Sequence, residues 1–252
     1  MNSVICITGM HRSGTSLTTS WLEVCGLRIH DGAFYGPETG NPKGHFEDKD
    51  FVDLHSSAIE LEKPKSNGWK LFADKFFAFE AGHLSNARKL VDQRNAKYNL
   101  WGWKDPRSVI YLTQWKEIIP SLKVLLLWRP CSEVASSLIR RSRKARAPVF
   151  KINILDSVKL WMAYNERVCE YKQQNPDDAV LFPLEHVIEH DQDVLKFLNK
   201  KFRINLEYRR IGDLYDQKLL TRGPTPLLLT RLASLYYRTD RLETRLQQLS
   251  DI

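Results

Sequence analysis

One stretch of the sequence reads Gly9-Met10-His11-Arg12-Ser13-Gly14-Thr15-Ser16. It matches the phosphate-binding loop G-x-x-x-x-G-K-[ST], except that Thr15 stands in place of the lysine. The apolar, β-branched residues 4–8 precede it and are typical of a buried parallel strand, and helix-compatible residues 16–24 follow. A glycine-flanked turn between a strand and a helix directs backbone N–H groups and the positive end of the helix dipole at one point. The stretch therefore predicts an anion-binding loop.

The missing lysine limits the kind of ligand that this loop can hold. ATPases and kinases use that lysine to bridge the outer phosphates, and they hold Mg²⁺ with an aspartate at the end of a second strand. Here the loop carries Arg12, and the strand predicted over residues 124–128 is followed by Arg129. We therefore expect an anion that is neutralised by side chains, with no metal ion.

Strand-like and helical patterns alternate along the chain. Strands are predicted at residues 100–103, 124–128 and 179–183, and helices at residues 48–61, 74–94, 108–119, 130–144, 153–174, 191–200 and 226–249. This alternation predicts a parallel sheet covered by helices on both faces. Ligands of such sheets bind beyond the carboxyl ends of the strands, where Gly9, Lys104 and Arg129 all fall. The patterns do not predict the strand order.

Three segments resemble motifs of the sulfotransferases that use 3′-phosphoadenosine 5′-phosphosulfate (PAPS). The 5′-phosphosulfate loop of that family is similar to Arg12-Ser13-Gly14-Thr15-Ser16. Its 3′-phosphate motif, an arginine at a strand end with a serine eight residues on, is matched by Arg129 and Ser137. The Lys-Asp-Pro segment of the tyrosylprotein branch resembles Lys104-Asp105-Pro106. The order and separation of the three also fit, so the resemblance covers roughly residues 3–145.

The resemblance implies a fold, a donor and a set of binding residues. The fold is α/β, a three-layer P-loop fold with a central parallel sheet flanked by helices. The donor is PAPS, which leaves as adenosine 3′,5′-bisphosphate. The residues implied to bind it are Arg12, Ser13, Gly14, Thr15, Ser16, Arg129 and Ser137. Some family branches also close a late basic loop over the adenine, a role for which residues 208–210 and 222–223 are candidates.

A separate loop is predicted from composition alone. Residues 26–45 are rich in Gly and Pro and long for a structureless connection, which is typical of a binding loop.

The implied reaction is sulfuryl transfer to a hydroxyl or amine. As in phosphoryl transfer, catalysis is expected to come from positioning and charge stabilisation in an in-line transition state, for which Arg12 and Lys104 supply charge-assisted hydrogen bonds. Glu47 is the first candidate for the base that takes the acceptor's proton. An alternative stays open, in which Glu47 and Asp48 only stabilise the start of the helix that follows.

Other residues near Glu47 could serve as the base in its place. Asp48, His45 and His55 are the alternatives to Glu47, whereas His11 is expected to shape the phosphate loop. We expect Asp105 to orient Lys104 or to cap the helix that begins near residue 108.

The composition is that of one globular unit. The 252 residues are 42% hydrophobic and 27% charged, which suffices for one sizeable core, and we expect a single domain over residues 1–252. The longest apolar runs fall far short of the roughly 20 residues that span a bilayer, and no secretory signal opens the sequence. The four cysteines form no C-x-x-C pair and are interpreted as reduced structural residues. We expect a cytoplasmic protein without a membrane span.

The basic balance leaves rival functions to weigh. The net charge is +8, and residues 140–146 include five cations, which is typical of nucleic-acid binding. A PAPS enzyme must also attract a polyanion, and Arg140 or Arg141 shares a helical face with Ser137. A nucleotide or small-molecule kinase would explain the phosphate-binding loop. It does not explain Thr15 in place of the lysine, or Arg129 at the strand end where an aspartate would hold Mg²⁺. We favour the sulfotransferase, with no nucleic-acid partner. The acceptor, whether a carbohydrate, a lipid, a small metabolite or a peptide tyrosine, and the oligomeric state stay open.

Overall fold

The fold is described from a computed structural model of the chain. The description covers residues 2–32, 34–35, 46–62, 68–69, 78–145, 150–214 and 228–252. The predicted loop at residues 26–45 is therefore covered only in part, and His45, Arg146 and residues 222–223 lie outside the described residues.

A four-stranded parallel sheet forms the centre of the fold. Its strands are β1 (Ser3–Gly9), β4 (Leu100–Lys104), β5 (Lys123–Trp128) and β6 (Ala179–Pro183), in the order β4-β1-β5-β6. A separate antiparallel pair consists of β2 (Phe34–Tyr35) and β3 (Glu47–Asp48). The strands β4, β1 and β5 are neighbours, so the loops that follow them open at one edge of the sheet.

Helices cover both faces of the sheet. They are α1 (Thr15–Val24), α2 (Lys49–Glu62), α3 (Ala81–Lys97), α4 (Ser108–Ile118), α5 (Cys131–Lys144), α6 (Ile154–Gln174), α7 (Leu184–Glu189), α8 (Asp191–Phe202), α9 (Leu228–Tyr236) and α10 (Asp240–Leu249).

Alternate residues of each strand belong to two separate cores, as the two-residue period of a strand requires. On β1, Ile5 and Ile7 pack with α1 and α8, while Val4 and Cys6 pack with the helices of the other face. The predicted three-layer α/β fold is confirmed.

Close backbone contact between β4 and β1 explains why residue 102 is a glycine. A Cβ atom at Gly102 of β4 would lie 2.2 Å from the carbonyl oxygen of Ile5 in β1, so no larger residue fits there without moving the strands. The two Trp residues on either side, Trp101 and Trp103, are buried in the core beneath α2 and α4.

The prediction of one helix over residues 226–249 is wrong. Residues 228–252 form two helices, α9 and α10, with a break at Arg238, whose φ of 53° lies in the left-handed region. An arginine carries no turn signature, so the sequence pattern runs through the break. The helix predicted at residues 74–94 begins later, at Ala81, and continues to Lys97, and residues 74–77 lie outside the described residues. None of the described helices is long and apolar enough to cross a membrane.

Candidate active site

The loop between β1 and α1 is shaped by two glycines and one strained arginine. Gly9, Arg12 and Gly14 have φ values of 148°, 71° and 88°, and the N–H of Ser13 donates to the carbonyl of Met10 at 3.1 Å. A Cβ atom at Gly14 would lie 2.4 Å from the side chain of Leu184 in α7. Gly14 is the N-cap of α1 and brings no side chain to the first N–H groups of the helix. The loop therefore presents the open N-terminus of α1, which favours an anion.

A buried hydroxyl in the loop points to the same chemistry. Ser13 is fully buried, and within the described part of the chain its Oγ has no hydrogen-bond partner. Buried polar groups are nearly always satisfied, so an orphaned hydroxyl at a helix N-terminus indicates a ligand position. Thr15, in the place of the P-loop lysine, is buried at 3% exposure and adds no charge.

Side chains from the end of β5 meet this loop. Arg12 Nε donates to Ser137 Oγ at 2.9 Å, and Arg129 Nη1 lies 3.4 Å from the carbonyl oxygen of Arg12. Glu133 accepts from Arg129 Nη2 at 2.5 Å, and Trp161 Nε1 donates to the Arg129 carbonyl at 2.9 Å. The sequence-predicted residues Arg12, Arg129 and Ser137 are thus brought together by the structure.

These contacts gather positive charge around Arg12. Burial, followed by the charges of Arg141, Arg129 and Arg140, lowers the pKa of Arg12 to about 10. Burial and Arg129 also lower the pKa of Arg140. Arg141 lies over the rings of Trp69 and Phe150, at 5.5 and 5.2 Å from their centres. Because each arginine disfavours the charge of its neighbour, a bound anion would stabilise all of them.

A second group of predicted residues meets at the end of β4. Lys104, the last residue of β4, is 2% exposed and donates to Glu47 Oε1 at 2.6 Å. The other carboxylate oxygen of Glu47 lies 3.7 Å from Arg107 Nη2. The structure therefore pairs the predicted catalytic lysine with the predicted base, and adds Arg107 as a second cation beside them.

Asp105 holds the segment that carries Lys104. Its Oδ1 accepts from the side chain of Arg107 at 2.8 Å and from the backbone N–H of Arg107 at 2.9 Å, and its carbonyl accepts from Thr8 Oγ1 of β1 at 2.8 Å. Burial would raise the pKa of this carboxyl, but Arg107 and the hydrogen bond from His55 hold the pKa well below its usual range. Asp105 is thus a buried anion that fixes the end of β4, close to the orienting role expected for it.

His55 is excluded as the base by its hydrogen bonds. Its Nε2 accepts from Trp115 Nε1 at 2.9 Å, so its proton lies on Nδ1, which is 2.8 Å from Asp105 Oδ2. Both ring nitrogens are occupied and the side chain is fully buried. His55 therefore supports Asp105 and cannot reach an acceptor.

Asp48 belongs to a structural ion-pair cluster. Its Oδ2 accepts from Arg94 at 2.9 Å, and its Oδ1 accepts from the backbone N–H of Asp50 at the start of α2. Arg94 also donates to Asp31 at 3.0 Å. Of the two carboxylates for which a helix-start role was the alternative, Asp48 has that role, whereas Glu47 pairs with Lys104.

One of the two segments that are candidates for the adenine loop can now be located. Residues 208–210 contact the middle of α1, where Trp21 Nε1 donates to the carbonyl of Arg209 at 2.7 Å. Tyr208 there donates to Asp191 at 3.1 Å. The alternative adenine loop at residues 222–223 lies outside the described residues.

Arg107 and Tyr164 contact predicted site residues but were not themselves predicted from the sequence. Arg107 follows the Lys-Asp-Pro segment directly and could have been found by extending that motif by one residue. Tyr164 lies on α6, donates to the carbonyl of Gly68 at 3.0 Å, and contacts His11 with a 3.5 Å separation from Nε2. A single tyrosine within a long helix has no distinguishing sequence signal.

The comparisons with known proteins concern the fold. A sulfotransferase domain from the curacin biosynthetic pathway aligns over 98% of this chain and 97% of that domain, with a TM-score of 0.54 and 14% identity. A sulfotransferase from Alicyclobacillus acidocaldarius aligns over 100% and 97%, with a TM-score of 0.58 and 12% identity. The sulfotransferase domain of the Synechococcus PCC 7002 olefin synthase aligns over 99% and 93%, with a TM-score of 0.51 and 16% identity.

Comparison at the level of sequence gives no match to a family model or to a curated protein. The chain has the fold of sulfotransferase domains, as the sequence resemblance implied.

The buried histidine of the loop generates a pH prediction. Burial, followed by the charge of Arg107, lowers the pKa of His11 well below its usual value, so the unfolded chain takes up this proton first. The free energy of unfolding should therefore fall as the pH drops below about 6.5, by at most about 1.4 kcal/mol per pH unit from His11. Denaturant titrations of wild type and His11→Gln between about pH 7.5 and 5.5 measure this contribution. Equal slopes for the two proteins would contradict the assignment of His11 as a neutral residue of the loop.

Proposed function

We propose that this chain is a PAPS-dependent sulfotransferase that transfers the sulfuryl group to a hydroxyl or amine of a carbohydrate, lipid or small-metabolite acceptor. One observation carries the proposal. Arg12, Lys104 and Arg129 lie at the carboxyl ends of three adjacent parallel strands, β1, β4 and β5, beside the open N-terminus of α1. An edge of this kind is where α/β sheets bind ligands, and its charge selects a ligand with more than one anionic group.

The residues present fit such a donor. The backbone N–H groups of Gly14 to Ser16 and the orphaned hydroxyl of Ser13 suit the 5′-phosphate. Arg129 and Ser137 would hold the 3′-phosphate, because both are joined to the loop through Arg12. When bound, PAPS supplies an activated sulfuryl group whose leaving phosphate is already stable as an anion.

Two cations would flank the reacting group. Arg12 and Lys104 donate charge-assisted hydrogen bonds, which strengthen as negative charge grows on the leaving oxygen. Lys104 is buried and Arg12 half-buried, and each is held in place, Arg12 by Ser137 and Lys104 by Glu47, so they would require little reorganisation during the reaction. These residues would therefore act in the in-line transfer without a metal ion.

Glu47 is the proposed base. Its carboxylate lies at the same strand end as Lys104, in contact with the cation that would face the transferred group. It is 14% exposed, so an acceptor can approach it from solvent, whereas Asp48 is 2% exposed and bound to Arg94. The proton of the acceptor would pass to Glu47 as the acceptor oxygen or nitrogen forms its bond to sulfur.

The donor site can be tested without knowledge of the acceptor. Adenosine 3′,5′-bisphosphate at a hundred times its dissociation constant should stabilise the fold by about 2.7 kcal/mol. The melting temperature should then rise by roughly 5–10 °C for a chain of this size. ATP with magnesium should raise it less, because ATP lacks the 3′-phosphate and Thr15 cannot bridge its outer phosphates. A larger shift with ATP and magnesium would favour a kinase and contradict the proposal.

The base assignment predicts a change in turnover on an acceptor found by mass-spectrometric screening for sulfated products with PAPS supplied. Glu47→Gln keeps the side-chain shape but cannot take a proton, so turnover should fall by roughly 10²–10⁴-fold, and the acidic limb of the pH–turnover profile should disappear. Loss of the ion pair to Lys104 will also lower the melting temperature, so rates are measured well below it.

Asp48→Asn is the matched control for Glu47→Gln. It removes a neighbouring carboxylate that pairs with Arg94, so it should lower stability while turnover and the pH profile persist. Near-normal turnover in Glu47→Gln would show that Glu47 is not the base, even if the donor site is correct.

A further inference from the structure

The helix α9 has an inverted burial pattern. It buries its small and polar residues Thr230, Ala233 and Ser234, and it exposes its large apolar ones. Leu235 is 71% exposed and Tyr236 80% exposed. The exposed set, which we call the α9 face, is Leu228, Leu229, Leu232, Leu235 and Tyr236. Helices on globular proteins normally present the opposite pattern, with the apolar stripe toward the core.

The inverted orientation is held by specific hydrogen bonds. Thr230 Oγ1 lies 2.7 Å from Ser136 Oγ of α5, in a fully buried contact, and 3.4 Å from the carbonyl of Ser132. Within α9 itself, the buried Ser234 Oγ donates to the carbonyl of Thr230 at 2.8 Å, which satisfies this hydroxyl without fixing the orientation of the helix. Rotating α9 to bury its leucines would break the buried hydrogen bond between Thr230 and Ser136. The outward apolar face is therefore a property of the packing of α9 on α5.

The exposed charges along α9 and just after it are mostly positive. From residue 228 to residue 241 the charged side chains are Arg231, Arg238, Asp240 and Arg241, all exposed. Lys159 of α6, also exposed, lies 6.0 Å from the ring centre of Tyr237. A second copy of the chain would bring like charges together across a shared face. A surface that is apolar below and anionic above would match both features.

We propose that the α9 face docks the protein on an anionic membrane surface, with the helix in the plane of the interface. The leucines would enter the boundary between headgroups and acyl chains, and Arg231 and Arg238 would meet the anionic headgroups. Tyr236 suits this depth, because its ring is apolar and its hydroxyl is polar. α5 also carries Ser137, so one helix separates the docking face from the candidate active site.

Cosedimentation with vesicles tests this docking. Full-length protein should bind vesicles of equal parts phosphatidylcholine and phosphatidylserine, bind phosphatidylcholine vesicles more weakly, and lose affinity as salt is added. Leu235→Gln should weaken binding about tenfold or more. Arg231→Gln should weaken it about fivefold, and only on the anionic vesicles. Leu61→Gln is the matched control, because Leu61 of α2 is 61% exposed but lies outside the α9 face, and it should have no effect.

Several results would overturn the docking. One is the absence of binding to anionic vesicles, and another is an equal loss of vesicle affinity for Leu235→Gln and Leu61→Gln. A third is a protein that does not bind vesicles but self-associates, with the self-association abolished by Leu235→Gln. The last result would assign the face to a second copy of the chain. Vesicle binding needs no turnover, so its outcome is independent of the proposed transfer activity.

Discussion

Repulsion among half-buried, neighbouring arginines is the constraint on which the site depends. Arg12 sits in the loop after β1 with Arg129, Arg140 and Arg141 close enough to lower its pKa to about 10. The folded chain keeps these charges together even though their repulsion lowers the free energy of unfolding, which is small in proteins to begin with. Such an arrangement makes physical sense where an anion relieves the repulsion. The left-handed backbone of Arg12 is a second local cost at the same position.

The rest of the fold holds these cations still. Asp105, bound by Arg107 and His55, ties the end of β4 to β1 and so fixes Lys104. The C-terminal helices fix the other side, because Glu243 of α10 accepts from the backbone N–H of Cys131 at 2.8 Å, at the start of α5. Burial raises the pKa of Glu243. Chemistry that depends on positioning and electrostatics needs such a rigid frame, and residues outside the motifs, such as Glu243, contribute to it.

Local patterns sufficed for the strands of the sheet, though not for their order, and for most helices, because β1, β4, β5 and β6 are short, largely apolar and buried over nearly their whole length. They failed where geometry is set by distant contacts. The break at Arg238 has no turn residue, and the inverted α9 depends on the serines of α5. In the site, motifs selected the residues that meet at the strand ends, but His55 was separable from Glu47 only once the hydrogen bond from Trp115 was known.

The most direct measurement is calorimetric titration of wild type and Arg129→Ala with adenosine 3′,5′-bisphosphate and with adenosine 5′-monophosphate. Wild type should prefer the bisphosphate by roughly 10–100-fold, as one charged hydrogen-bonded contact contributes about 1.5–3 kcal/mol. Arg129→Ala should lose most of that preference while its affinity for the monophosphate changes little. If wild type shows no preference, or if Arg129→Ala weakens both ligands equally, the arginine cluster is not a 3′-phosphate site and the proposed donor is wrong.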